Sequence, residues 1–330
     1  MKNKQILLAR RPQGSVSEED FRLVEAEVPA PREGQALTRV HWLSLDPYMR
    51  GRMDEAKSYA PPQPLGEVMI GGTVAEVIES RTPKLPKGAF VVGMAGWQQF
   101  QVTDGAGLRV IDTSAIPASA YLGCMGMPGI TAWYGVTQIG RPKEGETVVV
   151  SAAAGAVGSV VGQLARLRGC RAVGIAGGKA KCDLVTGELG FDACIDYKSE
   201  SFRADFKAAT ARGIDFLFEN VGGATMDAAL ARMNAFGRVA LCGVIAGYDG
   251  KPIPLDNVRS ILVNRLLVQG FIVSEHMELW PQALAELGPH VAAKRIRYRE
   301  TVAQGLESAP RAFIGLLRGE NVGKQLVKLV

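Results

Sequence analysis

The pattern of apolar and polar positions along the 330-residue chain changes character near residue 124. Before that point, short apolar and β-branched runs are separated by Gly and Pro, which is typical of antiparallel β structure. The clearest strands are predicted at 36–42, 71–78 and 89–92, in a small barrel or sandwich. The Pro-rich stretch 46–64 is too irregular for a regular element and is predicted to be a long loop, a type of segment that often carries function.

From Thr147 onward, apolar strands alternate with helical segments, which indicates βαβ units and a parallel sheet. Strands are predicted at 147–151, 172–176, 193–196, 215–219, 239–242 and 267–271, and helices at 157–168, 181–189, 224–233 and 278–287. Six such strands predict an α/β fold with a doubly wound parallel sheet of the Rossmann type. A strand at 297–302, a helix at 309–318 and a last β segment at 323–330 follow, so we expect the tail to rejoin the first domain.

The strongest local signal is the stretch from Ala152 to Gly158, where the first of these strands runs into a turn of small residues and then an apolar helix. Counted from Ala153 it reads A-x-G-x-x-G, the dinucleotide-binding pattern with Ala in place of its first Gly. Gly155 would let the backbone approach a pyrophosphate, and Gly158 would let the helix pack closely on the strand. Because N–H groups at a helix N-terminus bind anions, the stretch predicts a phosphate site, although a tight turn in another α/β domain has the same pattern.

The residues after the second of these strands favour NADP over NAD. A carboxylate about 20 residues beyond the last motif glycine would hold the ribose 2′-hydroxyl of NAD. The chain instead carries Lys179 and Lys181 there, with no acid before Asp183. Because a 2′-phosphate is attracted by cations and repelled by a carboxylate, the missing acid predicts NADP even if both lysines only face solvent. Glycines after the fourth and fifth strands, at 222–223 and 243, predict a ligand groove at these strand ends.

Composition and charge exclude several classes of protein. The chain is 47% hydrophobic and 22% charged, as expected of a globular and not a disordered protein. Its net charge of +5 is spread without clusters, which argues against a nucleic-acid partner, and no apolar run is long enough for a membrane span. Without an apolar signal core we expect a cytoplasmic protein. Five scattered cysteines and three distant histidines, with no C-x-x-C, predict reduced thiols and no metal site.

Five stretches carry a more specific signal: 45–53 (LDPYMRGRM), 126–132 (GMPGITA), 152–158 (AAAGAVG), 219–223 (ENVGG) and 321–324 (NVGK). They resemble the zinc-free medium-chain dehydrogenase/reductase superfamily. Within it they are most similar to the group of prostaglandin reductase, leukotriene B4 12-hydroxydehydrogenase and bacterial NADPH-dependent curcumin reductase. The resemblance covers essentially the full length. Zinc-dependent relatives carry a G-H-E motif, whereas this chain reads Leu65-Gly66-Glu67-Val68 in that region.

The resemblance implies a GroES-like β-rich catalytic domain over 1–123, a Rossmann NADP-binding domain over 124–293 and a C-terminal return to the catalytic domain over 294–330, with NADPH and substrate in the cleft between. It places the cofactor contacts on Ala153, Ala154, Gly155, Ala156, Val157, Gly158, Lys181, Tyr197, Asn220, Cys242, Gly243, Val244, Tyr248, Phe271, Ile272, Val273 and Asn321. Tyr248 is also the implied catalytic residue, with Tyr48 as the second candidate. Each tyrosine has a plain structural alternative, Tyr248 as a surface turn residue and Tyr48 as packing against the Pro-rich loop.

The implied reaction is the zinc-independent, NADPH-dependent reduction of the carbon-carbon double bond of α,β-unsaturated ketones and aldehydes. Hydride goes to the β-carbon, and a hydrogen-bond donor stabilises the enolate oxygen. The implied partner is a medium-sized apolar enone. Two alternatives stay open: an NADPH:quinone oxidoreductase of the same superfamily and a non-catalytic NADPH-binding protein. The resemblance also implies a homodimer that pairs edge strands near 267–271.

Overall fold

The computed structural model describes all residues from Met1 to Val330. Its strands are β1 (Lys2–Leu8), β2 (Phe21–Glu27), β3 (Ala36–Ser44), β4 (Thr73–Ser80), β5 (Phe90–Gly93), β6 (Phe100–Thr103), β7 (Arg109–Ile111), β8 (Thr147–Ser151), β9 (Arg171–Ala176), β10 (Ala193–Asp196), β11 (Ile214–Glu219), β12 (Met233–Leu241), β13 (Leu267–Gly270), β14 (Glu300–Gln304) and β15 (Lys324–Lys328). Its α-helices are α1 (Tyr48–Arg52), α2 (Met127–Tyr134), α3 (Gly158–Leu167), α4 (Lys179–Gly187), α5 (Phe202–Ala209), α6 (Gly223–Leu230), α7 (Arg259–Val263), α8 (Trp280–Ala292) and α9 (Ala309–Leu317).

Contacts divide the chain into two units, which are described separately. The first unit comprises Met1–Leu122 and Glu300–Val330, and the second comprises Gly123–Arg299. The boundaries expected from the sequence fall after 123 and after 293, whereas Gly123 and residues 294–299 lie with the second unit in the structure.

The first unit contains a seven-stranded sheet in the order β14-β15-β3-β4-β5-β7, with β6 paired to β3, and a separate two-stranded sheet of β1 and β2. β3 pairs antiparallel with β4, and Ala36 lies opposite Ser80. The last strand, β15, also pairs antiparallel with β3, so that Leu326 lies opposite Ser44. The final residues of the chain are therefore part of the sheet that its first hundred residues begin.

An aromatic cluster lies in the core of the first unit. Phe21 stacks on Trp97 with ring centroids 5.2 Å apart, and Phe313 of α9 meets both rings edge-on. Offset stacking and edge-to-face contacts are the arrangements that aromatic rings prefer. Met49 and Met53 are buried in the same core, so the segment that carries them is anchored by apolar contacts.

The prediction of a continuous loop over 46–64 is wrong for its first part, because Tyr48–Arg52 forms the short helix α1. Met49 and Met53 lie four residues apart, on one face of a helix, and that face is buried. Pro47, which pre-sets a helical φ, precedes the first turn. The Pro-rich composition of the following residues hid this apolar spacing.

The second unit contains a six-stranded parallel sheet in the order β10-β9-β8-β11-β12-β13. Counted within the unit, this is the order 3-2-1-4-5-6 of the Rossmann fold, and the predicted α/β class with a doubly wound sheet is confirmed. β8 and β10 have the predicted bounds, whereas β12 begins at Met233, inside the stretch predicted as the end of a helix. The carboxyl ends of all six strands lie along one edge of the sheet, where ligands bind in this fold.

Several elements have no counterpart in the sequence-based prediction: β2, β6 and β7 in the first unit, and α2, α5 and α7 in the second. α2 contains Pro128 and Gly129, residues that normally end helices. Here Pro128 lies in the first turn, where it is tolerated. A Cβ on Gly129 would fall within 1.9 Å of the Cys124 carbonyl oxygen, so this glycine permits close packing and does not break the helix.

Candidate active site

The predicted phosphate turn connects β8 to α3. Ala152 has a left-handed backbone conformation with φ of 50°, and its carbonyl oxygen accepts a hydrogen bond of 2.8 Å from the N–H of Gly155. A Cβ on Gly158 would fall within 2.4 Å of the same oxygen, so only glycine fits at the start of α3. No side chain caps this helix. The N–H groups of Ser159, Val160 and Val161 donate to the carbonyl oxygens of Gly155 and Val157, so an anion at this turn would be held by the positive end of the helix and by the N–H groups that precede Ser159.

The structure distinguishes the two lysines that follow β9. Lys179 is exposed and forms an ion pair of 2.6 Å with Asp183, one turn further along α4. Lys181 is half-buried, and burial together with the neighbouring cation of Lys198 lowers the pKa of Lys181. Two cations that repel one another are suited to a shared anion such as a 2′-phosphate. The sequence analysis identified Lys181 but missed Lys198, which follows β10 and not β9.

Asp196, at the end of β10, connects the two backbone segments that carry these lysines. Its Oδ1 accepts hydrogen bonds from the N–H of Gly178 at 2.8 Å and from the N–H of Lys198 at 2.9 Å. These backbone bonds hold the pKa of Asp196 below its ordinary value. The carboxylate thus ties the β9–α4 turn to the segment that carries Lys198.

Tyr197, the predicted adenine-side contact, is exposed at the same sheet edge, with 48% of its surface accessible. A Cβ on Gly177 would fall within 2.8 Å of its ring, so the glycine lets the ring approach the β9–α4 turn closely. Lys198 Nζ lies 6.0 Å from the ring centroid. An exposed ring beside cationic groups is suited to stacking against a base.

Tyr248 lies beside the ends of β11 and β12. A Cβ on Gly243 would stand 3.2 Å from the Asn220 carbonyl oxygen and 3.6 Å from the Tyr248 hydroxyl oxygen. The structure therefore brings together three residues that the sequence analysis placed in the site. Tyr248 follows a 3-10 turn, Ile245–Gly247, and its N–H donates to the Ile245 carbonyl at 3.2 Å.

Two buried side chains behind these strand ends were missed by the sequence analysis as functional candidates. Glu219 Oε1 accepts hydrogen bonds from Ser151 Oγ at 2.8 Å and from the N–H groups of Val221 and Gly222 at 2.6 and 2.8 Å. Ser151 Oγ in turn accepts from the Asn220 N–H at 2.8 Å, and the Ser151 carbonyl accepts from Asn220 Nδ2 at 2.8 Å. The sequence feature that could have identified this pair is the 219–223 stretch, because Glu219 is its first residue.

The predicted contact segment 271–273 follows β13 and contacts several aromatic side chains. Phe271 stacks on Tyr134 at 5.2 Å, and the Tyr134 hydroxyl lies 2.9 Å from His276 Nε2. The Val273 carbonyl accepts from Trp280 Nε1 at 3.3 Å. These contacts fix the backbone of the segment at the same strand-end edge of the second unit.

Two of the predicted site residues, Tyr48 and Asn321, belong to the first unit. Burial and the charge of Asp46 raise the pKa of Tyr48, so its hydroxyl stays protonated. Asn321 Nδ2 donates to the Gly323 carbonyl at 2.8 Å. Three residues after Asn321, Lys324 Nζ donates to Asp46 Oδ1 at 2.6 Å and to the Leu45 carbonyl at 2.6 Å.

Ser44 Oγ donates to the other carboxylate oxygen of Asp46. Ser44, Asp46 and Lys324 are all buried, and we refer to them as the Asp46 cluster. The sequence analysis did not identify this cluster, although Asp46 and Lys324 lie in two of the group-specific stretches.

The chain contains no group of three or more His, Cys, Asp or Glu side chains arranged to hold a metal ion. All five cysteines carry free thiols. The residues present therefore do not fit a zinc site. No helix is both long and apolar enough to cross a membrane.

Comparisons with known proteins agree with this architecture. Residues 4–111 match a family described as the N-terminal domain of oxidoreductase, and residues 156–288 match one described as zinc-binding dehydrogenase. The chain is 43% identical to the NADPH-dependent curcumin reductase of Escherichia coli, over 99% of this chain and 97% of that protein. It is 41% identical to the NADP(+)-dependent 2-alkenal reductase of Nicotiana tabacum, over 98% and 97%.

Among solved structures, CurA from Vibrio vulnificus in complex with NADPH matches this chain with a TM-score of 0.95 and 44% identity, over 99% of each chain. Similarity of this extent over the full length defines a family, and it agrees with the group-specific stretches. The chain therefore belongs to the medium-chain dehydrogenase/reductase superfamily, in the group of the prostaglandin reductases and curcumin reductase.

Proposed function

We propose that this chain uses NADPH to reduce the carbon-carbon double bond of α,β-unsaturated ketones and aldehydes, with medium-sized apolar enones as substrates. The observation that carries the proposal is the position of the Tyr248 hydroxyl, beside Gly243 and Asn220 at the sheet edge that also carries the phosphate turn. The full-length similarity to a curcumin reductase and a 2-alkenal reductase supports the same reaction.

In this proposal the second unit holds most of NADPH. The turn from Ala153 to Gly158 takes the pyrophosphate, Lys181 and Lys198 take the 2′-phosphate, and Tyr197 packs against the adenine. Toward the nicotinamide, the proposed contacts are Asn220, Cys242, Gly243, Val244, Tyr248, Phe271, Ile272 and Val273. The family resemblance adds Asn321 to the proposed contacts. Bound NADPH supplies the hydride that the β-carbon of the substrate accepts.

Tyr248 is assigned the role of donor to the carbonyl oxygen of the substrate. As the β-carbon gains a hydride, negative charge develops on that oxygen, and a positioned hydroxyl stabilises it more in the transition state than in the ground state. The enolate then takes a proton from water at its α-carbon, which gives the saturated carbonyl product. Tyr48 is the second candidate for this role, because burial keeps its hydroxyl protonated and able to donate.

The reaction is tested on the purified full chain with NADPH or NADH and an alkenal, an apolar enone, a quinone and a secondary alcohol, with and without a chelator. We expect a saturated carbonyl product with NADPH, far less with NADH, and no effect of the chelator. Hydroquinone as the sole product would favour the quinone oxidoreductase alternative. Tight NADPH binding without turnover would favour the non-catalytic alternative.

The two tyrosines are separated by Tyr248→Phe and Tyr48→Phe in the same assay. Loss of one oxyanion donor lowers kcat by about 100-fold, and we expect this for Tyr248→Phe. NADPH affinity should change little, because phenylalanine keeps the ring through which Tyr248 would contact the cofactor. Tyr121→Phe is the matched control, since its hydroxyl donates to the Asp112 carbonyl at 2.6 Å, outside the proposed site. A loss confined to Tyr48→Phe would reassign the donor.

We further propose that the chain forms a homodimer through the β13 edge of the second unit. β13 is an edge strand, and Phe236 and Leu262 near it are 68% and 79% exposed. Exposed edges and apolar patches of this kind mark association surfaces. Light scattering should give a dimer for the wild type and a monomer for Leu262→Glu, while Leu23→Glu in the first unit remains dimeric. A monomeric wild type would contradict the proposal.

A further inference from the structure

Glu219 is a buried carboxyl that the proposed reaction does not use. It is fully inaccessible to solvent, and its Oε2 has no hydrogen-bond partner. Burial raises the pKa of Glu219, while the hydrogen bonds to its carboxyl oppose that rise. Burial of a carboxyl costs folding free energy. At this position, behind a ligand-binding edge, we therefore look for a function that an apolar side chain could not perform.

The contacts of Glu219 converge on residues of the proposed cofactor site. Its side chain accepts from the N–H groups of Val221 and Gly222, which form the turn after β11. Through Ser151 it also reaches Asn220, whose backbone and side chain both donate to Ser151. One carboxylate oxygen thus connects the end of β8 with the turn after β11.

The backbone of Glu219 extends the same network to β12. Its carbonyl oxygen accepts from the N–H of Cys242 at 2.8 Å and from that of Gly243 at 3.2 Å. Burial, followed by the charge of Glu219, raises the pKa of the Cys242 thiol to about 12. Cys242 and Gly243 are proposed cofactor contacts, and Gly243 is the residue against which the Tyr248 hydroxyl lies.

We propose that Glu219 is a positioning residue that, with Ser151, sets the positions of Asn220 and of Cys242–Gly243 for NADPH binding. This inference rests on the proposed function. The accepting oxygen at Oε1 is the feature that matters, because three donors converge on it. The negative charge is not required, so glutamine, which keeps an oxygen acceptor, should replace the carboxylate.

The experiment compares Ser151→Ala, Glu219→Ala, the double variant and Glu219→Gln as purified full chains. Each is measured for NADPH Kd by fluorescence titration, for the KM of NADPH, for kcat at saturating NADPH, and for Tm. We expect Ser151→Ala and Glu219→Ala each to raise the Kd and KM of NADPH about 10-fold, with kcat at saturation changed less than about twofold. Because both residues act through one network, the double variant should be no worse than Glu219→Ala alone. Glu219→Gln should bind NADPH within about threefold of the wild type.

Thr210→Ala is the control for a merely structural effect, since this buried hydroxyl donates to the Phe206 carbonyl at 2.6 Å, at the end of α5. It should lower Tm without changing the NADPH Kd. Ser151→Ala removes only a hydroxyl and keeps the test decisive if Glu219→Ala does not fold. Unchanged NADPH Kd in Ser151→Ala, or an equal loss in Thr210→Ala, would overturn the positioning role alone. A wild type that does not bind NADPH would overturn the proposed function and this role with it.

Discussion

The phosphate turn of the second unit and the Asp46 cluster of the first unit are held in different ways. The turn depends on residues that are neighbours in the sequence, because the left-handed Ala152 and the missing Cβ of Gly158 shape it locally. The Asp46 cluster joins a buried carboxylate to a buried ammonium from the other end of the chain. A glycine pattern followed by a helix can be predicted from one short stretch, whereas a buried ion pair exists only after the whole unit has folded.

The two regions also differ in what a substitution removes. In the turn, a new side chain adds atoms where there is no space, and the chain must shift. In the cluster, loss of one partner leaves a charge without compensation in a low-dielectric interior. We therefore expect the larger loss of stability in the first unit and the larger loss of cofactor binding in the second.

The largest expected loss of stability is that of Lys324→Met. Lys324 is buried, and burial lowers its pKa, while Asp46 opposes that shift. Removing the ammonium leaves Asp46 charged and buried, which costs about 3–5 kcal/mol of unfolding free energy. Urea denaturation followed by circular dichroism measures this loss.

Asp46→Asn combined with Lys324→Met should recover much of the stability, because the orphaned charge is gone. Lys328→Met is the matched control on the same strand, where Nζ lies 5.8 Å from the Trp42 ring centroid, and it should cost less than about 1 kcal/mol. Equal losses of unfolding free energy for Lys324→Met and Lys328→Met would show that the buried ion pair contributes no more to stability than the exposed lysine does.

Gly158→Ala tests the phosphate turn. Its Cβ would meet the backbone of Ala152 and Ala153, and overpacking of this kind costs about 1–3 kcal/mol. Because the shift falls on the first turn of α3, we expect the NADPH Kd to rise by more than about 10-fold. Gly187→Ala in α4 has open space around the new methyl group and should keep both stability and NADPH binding. A normal NADPH Kd for Gly158→Ala would remove the turn from the site.

The sequence predicts the second unit more completely than the first. The strands of the second unit and its α/β class were predicted because each strand contains a short apolar run and the strands alternate with helical segments along the chain. In the first unit the sequence did not predict α1. The helix is stabilised by the burial of Met49 and Met53, which cannot be read from a stretch whose many prolines indicate a loop. The charge pattern alone does not separate Lys179 from Lys181, and only the family resemblance singles out Lys181, because the ion pair of Lys179 and the proximity of Lys198 to Lys181 arise from folding.

The lysine pair gives the next smaller effect. Lys181→Ala should raise the NADPH Kd about 10-fold and leave the NADH Kd unchanged, because only NADPH carries a 2′-phosphate. Lys179→Ala is the matched control, since Lys179 is exposed and paired with Asp183, and it should change the NADPH Kd less than about twofold. Isothermal titration with both cofactors measures each value. A larger effect at Lys179 than at Lys181 would reverse the assignment.

The smallest expected effect is a pH dependence of stability that arises from Glu219. Burial raises the pKa of Glu219 above the ordinary glutamic acid value of 4.5. Between that value and the raised one, the folded chain binds more protons than the unfolded chain, so stability falls as pH rises through this window. Glu219→Gln cannot titrate there, so the Tm of the wild type minus that of Glu219→Gln should decrease from about pH 4.5 upward and become constant above the raised pKa. Glu200→Gln, at an exposed position, is the matched control measured by the same thermal scans. A difference between wild type and Glu219→Gln that stays constant from pH 4.5 to 8 would mean that the folded protein pays no proton-linked cost for this carboxyl, and that its hydrogen bonds offset its burial completely.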